Sequence, residues 1–104
     1  MQVKYLSRKG GEGLWCYTVR KAHQENDHPT FVFLHGFGSD KDLWSRMIGN
    51  MPKQYDCVAL DMPGHGETTF VDGLDELNFD SYIKSIKEFL ELSGLEKKPI
   101  YLIG

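Results

Sequence analysis

Phe31-Val32-Phe33-Leu34-His35-Gly36-Phe37-Gly38-Ser39-Asp40 is the stretch from which the rest of the chain can be read. It opens with four apolar residues, two of them aromatic and one β-branched, the composition of a strand buried on both faces. His35-Gly36-Phe37-Gly38 then breaks the run. Two glycines in three positions permit positive φ and let backbone N–H groups come close to a bound group. Ser39 stands three residues before Asp42, and a helical apolar pattern begins at Leu43, so Ser39-x-x-Asp42 reads as a capping box. The expected order is strand, tight glycine loop, helix N-terminus. Such an arrangement suits an anion or a developing oxyanion.

Working outward, Leu43, Trp44, Met47, Ile48 and Met51 share helical spacing, which Gly49-Asn50 and Pro52 bring to an end. Residues 55–60 read as a second buried strand, followed by another glycine-rich loop, Asp61-Met62-Pro63-Gly64-His65-Gly66-Glu67-Thr68-Thr69. Residues 70–77 are irregular and acidic. Asn78 is a helix cap by type. Phe79, Tyr82, Ile83, Ile86, Phe89 and Leu90 then form a one-sided stripe that predicts a helix over 79–93. Lys84, Lys87, Glu88 and Glu91 fall on its other face and read as solvated. Gly94 suits the position after the helix, with Leu95 placed for the accompanying apolar contact. Residues 99–103 read as a very hydrophobic strand, which an open sheet would leave as an unpaired edge. Before the organising stretch, residues 2–7 and 14–19 alternate around the turn at Gly10-Gly11-Glu12-Gly13, as a hairpin does.

The order is therefore β-β-β-α-β-α-β, an α/β arrangement with a mostly parallel sheet and flanking helices. Ligands bind such sheets beyond the carboxyl ends of the strands, and both glycine loops are expected there.

Composition narrows the function classes. The 104 residues are 40% hydrophobic and 26% charged with a formal net charge of -3, which gives no footprint for nucleic acid. No apolar run approaches the roughly 20 residues a membrane-spanning helix needs. Cys16 and Cys57 lie inside apolar segments and read as buried free thiols, which fits a reducing, intracellular setting. His23 and His28 lie in a polar loop without further ligands at metal spacing, so no metal is expected.

Three motifs in register resemble the front half of an α/β-hydrolase. His35-Gly36-Phe37-Gly38 follows the third strand, where that fold supplies one oxyanion-hole N–H. The residues from Asp61 to Thr68 are similar to the Asp-x-x-Gly-x-Gly-x-Ser loop after the family's fourth strand, with threonine in the serine position. The last strand ends at Gly104, where the family's Gly-x-Ser-x-Gly elbow would begin. Met1-Gln2-Val3-Lys4-Tyr5, Lys41-Asp42-Leu43-Trp44 and Lys97-Lys98-Pro99 further resemble a branch made up of membrane-anchored monoacylglycerol lipases, which carry a membrane helix ahead of this region. On this resemblance, residues 1–104 are the N-terminal part of a single domain whose C-terminal half is absent.

The resemblance implies a serine ester hydrolase without cofactor, cleaving an acylglycerol, a small lipid ester, to fatty acid and glycerol, in a parent associated with a membrane surface. It implies Phe37 N–H as the first oxyanion donor, with the Phe37 ring lining the acyl pocket and Gly36 admitting the substrate. His35, Gly38, Asp61, Gly64, His65 and Gly66 would hold the two loops. His35 and His65 read as hydrogen-bonding loop residues rather than catalytic bases, and Asp61 as a brace rather than a nucleophile. None of the triad is present, because the fold runs serine, acid, histidine from the elbow onward, so the chain alone is expected to be inactive. The alternatives are an epoxide hydrolase or haloalkane dehalogenase, which share this front half, and a non-catalytic binding protein of the same fold. A dinucleotide site ranks below these, since the first loop lacks a third glycine.

Overall fold

The computed structural model describes residues 1–104. Its strands are β1 (Gln2–Ser7), β2 (Leu14–Arg20), β3 (Thr30–Leu34), β4 (Cys57–Leu60) and β5 (Ile100–Ile103), and its α-helices are α1 (Ser45–Asn50) and α2 (Phe79–Ser93). The strands form one mixed sheet in the order β1-β2-β4-β3-β5. β4, β3 and β5 run parallel. The β1–β2 hairpin joins them antiparallel through β2 and β4. The order of elements is the one read from the sequence.

Alternation along the central strands explains the layers. Val32, Val58 and Leu60 face one side, where Trp15 and Phe89 complete a core under α2. Phe33, Cys57 and Ala59 face the other, against Ile48 of α1 and the partly buried Trp44. Both faces of β3 and β4 are covered, which is why their sequences are continuous apolar runs rather than alternating ones. β5 lies at the sheet edge, with Tyr101 and Leu102 exposed. Cys16 and Cys57 are buried and free.

Several local expectations change. Residues 55 and 56 lie outside β4, which is limited to Cys57–Leu60. Asp40, not Ser39, caps the helical segment after the first loop: its carboxylate accepts the Asp42 N–H at 2.9 Å. That short reach closes a 3-10 turn over Lys41–Trp44, and only six residues of α-helix follow. Ser39 is used differently, its N–H closing a turn onto Gly36 O at 3.2 Å. Gly38 at φ +83° takes the third position of that turn, where a side chain would be strained. By contrast α2 begins and ends where expected. Asn78 accepts the Ser81 N–H, and Gly94 adopts φ 73°.

The buried face of α2 differs from the expected stripe. Phe79 is 84% exposed and Ile83 is also exposed, whereas Ser81, Ser85, Glu88 and Phe89 are buried. Glu88, read as solvated, instead accepts from Arg8 Nε at 3.1 Å and Nη2 at 2.9 Å, from Trp15 Nε1 at 2.7 Å and from the Lys9 N–H at 3.2 Å. The same guanidinium pairs with Asp75 and donates to Thr69 O at 3.0 Å. It lies 4.5 Å from the centre of the Trp15 ring. One cation thus ties the hairpin to α2 and to the loop between β4 and α2.

Burial on its own would raise the Glu88 carboxyl. The hydrogen bonds from Arg8 and Trp15, with that from Lys9, outweigh it and hold the group below its ordinary range. A carboxyl depressed in the folded state contributes stability that is complete above its unfolded value, about pH 4.3, and is lost as pH falls through the folded value. The stability difference between wild type and Glu88→Gln, measured by urea unfolding, is therefore expected to be level above about pH 5.5 and to shrink steadily below about pH 4. A difference that stays level throughout the acid range would remove Glu88 as its source.

Candidate active site

Parallel pairing places the carboxyl ends of β3 and β4 side by side, with Leu34 opposite Leu60. The two glycine loops leave these ends as neighbours, and all eight residues singled out from the sequence gather on one edge of the sheet. β5, pairing β3 on its other side, brings Gly104 next to Leu34.

The second loop is fixed first. Asp61 is fully buried. Its carboxylate accepts from the Lys41 N–H at 2.8 Å, from Lys41 Nζ at 3.1 Å and from the Glu67 N–H at 3.1 Å. Burial opposes the charge on Lys41, and the contact with Asp61 more than restores it, so the ammonium is held above its ordinary value. Thr68 Oγ1 accepts the Cys16 N–H at 2.8 Å and anchors the loop to β2. The Gly64 N–H closes the loop onto Thr68 O at 3.1 Å. Gly66, at φ +52°, passes so close to Asp61 that a Cβ there would lie 2.2 Å from Oδ2.

Two histidines join the loops. His35 Nε2 accepts the Met62 N–H at 2.9 Å, and its Nδ1–H donates to Gly36 O at 2.8 Å. His65 Nε2 accepts the Gly38 N–H at 3.0 Å, and its Nδ1–H donates to Pro63 O at 3.1 Å. Each Nε2 faces a backbone donor, which fixes both rings in the neutral Nδ1–H tautomer. The rings lie 5.0 Å apart, and the Phe37 ring meets His65 edge-on at 5.2 Å.

Of the loop's N–H groups, Gly38 and Ser39 are thereby spent, whereas the Gly36 and Phe37 N–H groups meet no acceptor in the protein. Phe37, 74% exposed, lines a cleft of about 500 Å³. His35, Gly36 and Gly104 share one side of the cleft, and Leu77, Phe79 and Tyr82 form an apolar wall from the start of α2. A Cβ on Gly36 would touch no protein atom within 4 Å, so a side chain there would occupy cleft space.

The remaining candidates lie apart. His23 binds Lys53 O, and His28 packs on Tyr55. Cys16 lies under the second loop. Burial and then its hydrogen bond to Glu67 push the thiol up to about 11, which leaves it protonated and a poor nucleophile at neutral pH. Sequence reasoning missed Lys41 as the partner of Asp61 and missed the wall of the cleft. The one local sign is Phe79, an aromatic in a first helical turn, which the periodic stripe counts among the buried residues.

A model of the alpha/beta hydrolase fold matches residues 29–104, and the chain belongs to that family. It is 38% identical to the monoacylglycerol lipase ABHD6 of Bos taurus and 41% identical to the monoacylglycerol lipase abhd6-B of Xenopus laevis, over its whole length in both cases. The chain spans 29% of the length of these curated relatives. Among solved structures, an alpha/beta hydrolase from Novosphingobium aromaticivorans superimposes with a TM-score of 0.82 at 14% identity, covering 99% of this chain and 34% of that one. At that identity the likeness speaks for the fold alone. No helix of the chain is long and apolar enough to cross a membrane.

Proposed function

We propose that residues 1–104 supply the oxyanion side of a serine ester hydrolase that cleaves a lipid monoacyl ester, with monoacylglycerol the leading substrate. The observation that carries the reading is the Phe37 N–H, which has no protein acceptor and belongs to a residue that lines an apolar cleft. In this reading a serine hydroxyl attacks the ester carbonyl, and the oxygen that gains charge accepts the Phe37 N–H. Such a donor contributes about 3 kcal/mol to lowering the barrier, because it is already in place when the charge develops. Leu77, Phe79 and Tyr82 hold the acyl chain. His35, Gly38, Asp61, Gly64, His65 and Gly66 keep the two loops in register, and Gly36 leaves the approach open. The names of the curated relatives and the apolar wall support a lipid ester. The exposed apolar side chains around the cleft suit work at a membrane surface. The nucleophile, the acid, the base and the second donor would come from outside these 104 residues, which makes this the N-terminal part of one catalytic domain, inactive by itself.

The test replaces the Gly36–Phe37 amide with an ester, by incorporating phenyllactate at position 37 of the full-length gene product. This removes the N–H and keeps the side chain. Monoacylglycerol turnover is expected to fall on the order of 100- to 1000-fold, while a fluorophosphonate probe should leave the 104-residue chain unlabelled. Unchanged turnover in the ester variant would sink the assignment of the donor. Stoichiometric labelling of the 104 residues would place the nucleophile among them instead.

A further inference from the structure

We propose that His65 is the positioning residue that selects Phe37, rather than Gly38, as the oxyanion donor of the first loop. The inference rests on the hydrolase reading above and adds a cause for the choice of donor.

Phe37, Gly38 and Ser39 present three consecutive N–H groups. The Ser39 N–H turns back onto Gly36 O at 3.2 Å. The Gly38 N–H would be free were it not for His65 Nε2, 3.0 Å away. With Gly38 withdrawn, Phe37 is the one of these three whose N–H is left to meet a ligand. The acceptor belongs to the other loop, so the choice depends on the register between the loops. That register is held by a reciprocal exchange, in which His35 of the first loop accepts from Met62 of the second and His65 of the second accepts from Gly38 of the first.

Histidine suits this task. A neutral imidazole carries a donor and an acceptor at fixed positions on a rigid ring, so one side chain can bind its own loop through Nδ1–H and the opposite loop through Nε2. Here the Nδ1–H is held by Pro63 O at 3.1 Å, which presents the Nε2 lone pair to Gly38. The ring also buttresses the Phe37 side chain, edge-on at 5.2 Å. His65 therefore holds both the donor's neighbour and the donor's own ring. Loss of the acceptor would let the turn at Gly38 rotate and move the Phe37 N–H away from the developing charge. Errors of about 1 Å in such a group can cost on the order of 100-fold in rate.

The experiment is a cycle in the full-length gene product, followed with p-nitrophenyl butyrate. His65→Phe keeps a flat ring and deletes the acceptor, and His65→Gln restores an acceptor near the Nε2 position. Each is made with the natural amide at position 37 and with the ester. In the amide background His65→Phe is expected to lower kcat about 10- to 100-fold with KM within about twofold, and His65→Gln to recover most of the loss. In the ester background, where the N–H is already gone, His65→Phe should cost less than about threefold. Equal losses in both backgrounds, or no loss in the amide background, would overturn the proposal. A lack of effect from the ester itself would overturn the underlying assignment of Phe37 as the donor, a separate outcome. Thermal melts of each variant separate a displaced donor from a chain that has failed to fold, because the Gln variant must regain kcat at an unchanged melting temperature.

Discussion

Replacing Arg8 with leucine is expected to destabilise the chain by about 3–5 kcal/mol, the cost of removing one member of a buried ion pair and leaving its partners uncompensated. Two carboxylates, Asp75 and Glu88, converge on this guanidinium, and both are buried. Without the cation they would face each other in a low-dielectric site, and Trp15 would lose the positive group above its ring. A domain of this size is stable by only about 5–15 kcal/mol, so much of the margin would go. Arg8→Lys should recover little, since one ammonium cannot reproduce a planar fork that serves two carboxylates and the Thr69 carbonyl. The loss should shrink when Arg8→Leu is combined with Asp75→Asn and Glu88→Gln, which discharge the site. Urea midpoints decide the matter, and an Arg8→Leu midpoint equal to that of wild type would show that the network contributes nothing net.

Gly66→Ala carries the second large effect. Its Cβ would lie 2.2, 2.4 and 2.5 Å from Oδ2, Cγ and Oδ1 of Asp61. Alanine at φ +52° costs about 1 kcal/mol by itself. The collision is worse, because the carboxylate it displaces holds the Lys41 backbone, the Lys41 ammonium and the Glu67 backbone together. We expect about 3 kcal/mol or more of destabilisation, the range for separating a buried charge from its partner. A double-mutant cycle isolates the cause. With Asp61→Ala already present, Gly66→Ala should cost only the conformational part, about 1 kcal/mol. Equal costs in both backgrounds would put the effect in the backbone and clear Asp61 of any part in it.

How far the molecule could be read in advance depended on distance along the chain. The strand at 31–34 and the helix at 79–93 are both legible, because an unbroken apolar run and a capped periodic stripe are local signals. The pairing of the two loops was legible too, since parallel strands must open at the same edge. The face of α2 was not. Ser81, Ser85 and Glu88 are spaced as a second stripe, buried because Arg8 and Asp75 stand against it. Nothing within a helical turn of Glu88 distinguishes it from the solvated Lys84 and Lys87. The cap was misplaced for a similar reason, as Ser39 and Asp40 are both good capping types and only the turn onto Gly36 decides between them. At the site, His65 reads from the sequence as a hydrogen-bonding loop residue, but which group it accepts, the Gly38 N–H of the other loop, has no sequence signature.

The Arg8–Glu88 contact also imposes an order on synthesis. The two residues are 80 positions apart, so the hairpin leaves the ribosome long before its anchor exists. β2 waits as well, because its inner neighbour β4 begins only at Cys57. Through that interval the nascent chain holds a two-stranded ribbon, marginal in water on its own, with one apolar face and one uncovered rim. Arg8 remains hydrated meanwhile and helps keep the ribbon soluble. When α2 arrives, the same side chain is drawn inward and becomes the lock, so a single residue works first as a solubiliser and then as a clasp.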